Sequence, residues 1–69
     1  MRLADKFVEI LRSYTFSDGQ IAVIPWYSLE QAAGNTALAI DVFDSLVSEG
    51  KVREVVRYGI HHYYLTDMM

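Results

Sequence analysis

The chain has 69 residues and a formal net charge of −3, from six Lys and Arg against nine Asp and Glu, and it contains no cysteine. A single domain of this size buries only about 60% of the surface its unfolded chain exposes, which leaves little room for a deep catalytic cleft and argues against an enzyme. Without cysteine there are no disulfides and no thiolate metal site, so the 52% apolar content must hold the fold by itself, and a cytoplasmic setting is expected.

The opening MRLADKFVEILRS mixes charged and apolar residues, unlike the basic segment and unbroken apolar run of a signal peptide or membrane span. From Leu3 to Tyr14 the apolar residues Leu3, Ala4, Phe7, Val8, Leu11 and Tyr14 follow helical spacing and predict a helix that buries one stripe. Ser17, Asp18 and Gly19 break it, and Ile21 to Ile24 is an apolar run of strand length that Pro25 ends. Ser28 and Gln31 have capping-box spacing, which predicts a short helix from Leu29 to about Ala33, closed by Gly34. Asn35 or Thr36 then caps a third helix running from about Thr36 to Glu49, with Ala39, Val42, Phe43, Leu46 and Val47 on its core face and Gly50 as terminator. Lys51 to Arg57 and Ile60 to Leu65 are β-rich and flank Tyr58 and Gly59, as a hairpin requires. Val55 falls on the face opposite Val52 and Val56, which calls for a bulge or burial on both faces.

In this order the elements resemble the winged-helix family, a helix-turn-helix variant with a β-hairpin wing. The residues that carry the resemblance are YSLEQAAGNTALAIDVFDSLVSEGKV (Tyr27 to Val52). Within them SLEQAAG is similar to the first helix of the pair and VFDSLVSEGKV to the end of the second, while the terminal HHYYLTD is similar to the returning wing strand. The resemblance covers nearly the whole chain and implies a single α+β domain over residues 1–69: three helices with a small antiparallel sheet made of a short strand and the C-terminal hairpin. A narrower similarity is to the winged-helix segments that precede the motor of RecD-like superfamily 1 helicases. There a glycine and apolar run leading to a proline, as in Gly19 to Pro25, precedes the helix pair, and LVSEG and YYL stand at the expected places. The chain stops straight after the last strand, at Met68 and Met69, as a module of a longer protein does.

In winged-helix proteins that read bases, the second helix of the pair enters the major groove with polar or basic residues. Here the positions free of the core are Ala37, Leu38, Ile40, Asp41 and Asp44, and no Lys or Arg occurs between Arg12 and Lys51. Phosphates are repelled by Asp41 and Asp44, and Leu38 and Ile40 offer a base edge no hydrogen bond. This conflicts with a small transcription regulator that reads an operator. Positive charge gathers in the wing instead, where Lys51, Arg53, Arg57, Tyr58 and His61 form the candidate contact with DNA, single-stranded or forked. The expected function is therefore a non-catalytic accessory module of a nucleic-acid-processing protein that touches DNA weakly through its wing.

The alternative is a protein-interaction or homodimer module built on Trp26, Leu38, Ile40, Asp41 and Asp44. The plainer reading of those residues is that Leu38 and Ile40 pack on the first helix while the acids are solvated. His61 and His62, adjacent on a strand, point to opposite faces and cannot close on one metal ion; neither a metal nor a cofactor is expected. Ser28 has a sufficient role as a cap and no histidine near it in sequence, so it is not read as a nucleophile.

Overall fold

A computed structural model describes all residues from Met1 to Met69. Three helices pack around one core, α1 (Leu3–Arg12), α2 (Trp26–Ala33) and α3 (Thr36–Ser48), followed by the antiparallel strands β1 (Val52–Arg57) and β2 (Ile60–Leu65) and a single 3₁₀ turn at Thr66–Met68. This is the expected α+β arrangement with a winged-helix-like order of elements. No helix is long and apolar enough to cross a membrane.

α1 buries Phe7 and Leu11, one turn apart, with Asp5 in its first turn and Arg12 in its last, both favourable toward the helix dipole. It ends two residues before the sequence pattern does. The Tyr14 amide donates to the Leu11 carbonyl at 2.9 Å and the Thr15 hydroxyl to the same carbonyl at 2.6 Å, which closes the helix as a tight turn and leaves Tyr14 exposed.

The predicted strand at Ile21 to Ile24 contracts to isolated bridges, Thr15 with Ile21 and Gln20 with Tyr64. Only Ile21 is buried in the core; Ile24 packs against it half-buried, and Val23 is 59% exposed. Strand pairing stops because the chain turns toward Pro25, where the Trp26 amide donates to the Ile24 carbonyl at 2.8 Å across an inverse γ-turn. That turn also corrects the start of α2. The helix begins at Trp26 and Ser28 lies inside it, so no capping box forms with Gln31. Trp26 is helical and lies against Phe43, at 5.2 Å between ring centroids.

Between α2 and α3, Gly34 adopts φ 93° as a left-handed stop, and the Asn35 side chain accepts from the Leu38 amide at 2.7 Å as N-cap. α3 sends Ala39, Phe43 and Leu46 into the core, where they meet Phe7, Leu11, Ile21, Leu29, Val52 and Leu65.

The hairpin has a regular register, Val52 opposite Leu65, Glu54 opposite Tyr63 and Arg57 opposite Ile60. There is no bulge at Val55. It sits half-buried opposite His62 on the face away from the core, so the strand is covered unevenly on both sides. Tyr58 and Gly59 turn the chain with φ 52° and 76°, the two positive values of a type I′ loop. β2 pairs with β1 on one edge. On its other edge the Leu65 amide donates to the Gly19 carbonyl at 2.7 Å and the Ile21 amide donates to the Tyr63 carbonyl at 2.8 Å.

Gly19 has φ +95°, and a Cβ there would stand 3.0 Å from Met69 Cγ and 3.1 Å from the Met69 amide nitrogen. Gly50, with φ +79°, has nothing within 4 Å of such a Cβ. Gly19→Ala is therefore expected to destabilise the domain by about 2–3 kcal/mol, and Gly50→Ala by about 1 kcal/mol. Thermal unfolding followed by circular dichroism checks the difference; equal melting points for the two variants would show that the C-terminal residues do not close on Gly19.

Candidate nucleic-acid interface

The alternation of β1 sorts the wing residues into two sets. Arg53, Val55 and Arg57 share the outer face with Tyr64, His62 and Ile60; Val52, Glu54 and Val56 share the inner face with Leu65, Tyr63 and His61. The Val52–Leu65 end of the inner face is core, and its distal end is exposed.

The five candidate wing residues therefore do not form one cluster. Arg53 and Arg57 lie on the outer face, about 13 Å apart along the strand, and neither takes part in an ion pair. Tyr58 is fully exposed at the tip between Val56 and Ile60, both more than half exposed. Lys51 lies below the strand, 3.7 Å from the Glu49 carboxylate, and lines a groove between α1 and the base of the wing. That groove is the largest cavity of the molecule, about 540 Å³, and Arg12 bonds Asp67 at 2.7 Å beside it. His61 stands on the inner face, where its Nδ1 is 3.1 Å from Glu54 Oε2. His62 is on the opposite face, its Nδ1 3.4 Å from the Gln20 side-chain nitrogen Nε2. The two histidines diverge as strand alternation requires.

The alternative set on α3 is divided as well. Residues two apart on a helix diverge by about 160–200°, so Leu38 and Ile40, both partly exposed, flank opposite sides of the buried stripe. Ile40 shares its side with Asp44, four residues on; Leu38 shares its side with Asp41. Phe43 links Trp26 to the wing, its ring centroid 5.5 Å from that of Tyr63. The Trp26–Phe43–Tyr63 contact was not legible in the sequence. Its only trace there is the i, i+4 place of Phe43 beside Ala39 and Val47.

Glu54 has an environment that shifts its titration. Hydrogen bonding from the Tyr63 hydroxyl, then from His61, holds its carboxyl below the usual carboxylate range. The same bond to Glu54 pushes the Tyr63 phenol up, with burial and the negative charges of Glu54 and Asp44 adding to it.

Comparison with protein-family models, with curated proteins and with solved structures finds no match to this chain.

A lowered carboxyl value contributes stability at pH above the ordinary carboxylate range and loses it as pH falls through the folded value. A raised phenol contributes below its ordinary value, about 10, and loses it as pH rises through the folded one. Titration of the Glu54 side chain by NMR should give a midpoint below about 4.3, and Tyr63→Phe should move it up toward that value. An unmoved midpoint in Tyr63→Phe would remove the phenol as its cause.

Proposed function

We propose that the protein is a non-catalytic winged-helix module of a nucleic-acid-processing protein and that it holds a nucleic-acid strand on the outer face of its wing. The observation that carries this reading is the pair Arg53 and Arg57, cations without an acidic partner on one strand face, with Tyr58 standing free at the tip beside them. Guanidinium groups hold phosphate oxygens in bidentate fashion, and an exposed aromatic ring stacks on a base without regard to sequence.

The backbone at Tyr58 supports the same reading. A type I′ loop favours Asn or Gly at its first central position, and an aromatic residue held at φ 52° costs stability there. Residues kept in such conformations cluster where contact is made. Duplex reading by α3 has no support, since its exposed side carries Asp41 and Asp44 and no cation. Contact through two arginines is weak and salt-sensitive, with a log–log slope of about −1.4 on single strands.

Arg53→Glu combined with Arg57→Glu should abolish binding to a DNA fork at low salt, measured by fluorescence anisotropy; unchanged binding would sink the proposal. Tyr58→Asn should act in two directions, raising stability by about 0.5–1 kcal/mol while weakening fork binding by about 1 kcal/mol or more. A variant that gains stability and keeps full affinity would take Tyr58 out of the interface.

A further inference from the structure

The side of α3 that turns toward the wing is a second unpartnered surface, with the opposite charge. Ile40 is 45% exposed and Trp26 38% exposed, and the Trp26 ring continues through Phe43 to Tyr63. Asp44, one turn beyond Ile40, lies near enough to Tyr63 for its charge to raise that phenol, and Glu54 stands beside Tyr63 on the inner face of the wing. No ion pair reaches Asp44, and α3 contributes no lysine or arginine that could neutralise it. Aromatic and aliphatic area therefore adjoins two carboxylates, only one of which, Glu54, has a titratable neighbour of possible positive charge, His61.

We propose that this surface, between α3 and the inner face of the wing, docks a basic segment of a partner protein that carries an apolar anchor. A lysine or arginine of that segment takes Asp44 and Glu54 as counter-charges and the face of Trp26 as a cation–π platform, while its apolar side chain covers Ile40. Charge selects this occupant over two others. A nucleic-acid strand is repelled by the carboxylates that attract the segment. A second copy of the chain meeting this face about a two-fold axis brings the same acidic patch against itself, and like charges facing each other oppose association. The inference is separate from the nucleic-acid reading, because Arg53 and Arg57 point away from this surface on the opposite face of β1.

Trp26 is the only tryptophan, so its emission reports directly on the surface. The probes are a capped peptide of alternating Lys and Leu and its counterpart of alternating Glu and Leu, added to the full chain. A saturable change in Trp26 emission is expected with the lysine peptide and none with the glutamate peptide. Asp44→Lys should weaken the lysine peptide by about tenfold or more, and Asp44→Asn should weaken it in the same direction. Glu9→Lys makes the same change in net charge on the exposed side of α1 and should leave binding unchanged, with circular dichroism melting confirming that each variant is folded. Equal weakening by Glu9→Lys, or an equal response to both peptides, would overturn the proposal. An emission change produced by protein concentration alone, or by forked DNA alone, would overturn it in favour of a second copy or of nucleic acid. Loss of fork binding in the Arg53 and Arg57 variant bears on the other reading and leaves this one standing.

Discussion

β2 is hydrogen-bonded along both of its edges, and the position of the wing depends on that pairing. A two-stranded hairpin by itself is marginal in water. Here the Gly19 carbonyl and the Ile21 amide take the second edge of β2, so the connection from α1 to α2 is tied to the strand before the returning chain ends. The base of the wing is fixed from the other side: the Lys51 amide donates to the Leu46 carbonyl, and Thr66 bonds Gly50 and Lys51. Val52 and Leu65, opposite each other at this base, are both buried. Beyond them the hairpin extends from the core with nothing beneath its tip, which is what leaves Tyr58, Val56 and Ile60 available for contact.

Helices and hairpin were legible because their signals are local. The spacing from Leu3 to Leu11, the Asn35 cap and the Tyr58–Gly59 turn each involve residues a few positions apart, and each stands in the structure. The strand at Ile21 to Ile24 was not, because four apolar residues in a row do not say which of them meets a partner edge; Ile21 bonds β2 and Ala22 bonds Tyr14, and the pairing goes no further. Ser28 and Gln31 satisfied a local template that the γ-turn at Pro25 pre-empted, since Trp26 gains the Phe43 ring by starting the helix three residues earlier. How the candidate site residues group in space was not legible from sequence order alone. The separation of Leu38 from Ile40, and of Arg53 from His61, follows from helix and strand periodicity once the register is known.

The wing thus has two faces of unlike character on one pair of strands. Basic residues and His62 stand outward, whereas Glu54, Tyr63 and His61 turn toward the side of α3 that bears Asp44. α3, whose exposed side carries Asp41 and Asp44 and no cation, is the part least suited to a polyanion, whereas Arg53 and Arg57 put unpaired positive charge on the outer face of the wing despite the net charge of −3. The cationic and the anionic side chains of the wing are thereby kept on separate faces of one pair of strands.

β1 pairs only with β2, so its far edge presents free backbone groups along a stretch that includes Val55 and Val56. An unpaired edge with two adjacent valines is a template for adding a foreign strand, and natural sheets blunt such edges with charge. Arg53 and Arg57 bracket the two valines and act as gatekeepers of this kind. Antiparallel self-pairing centred on Val55 would set Arg53 opposite Arg57 of another copy, and pairing centred on Glu54 would set two glutamates against each other. Neutralising the arginines would thus uncover a sticky edge that reversing their charge keeps guarded.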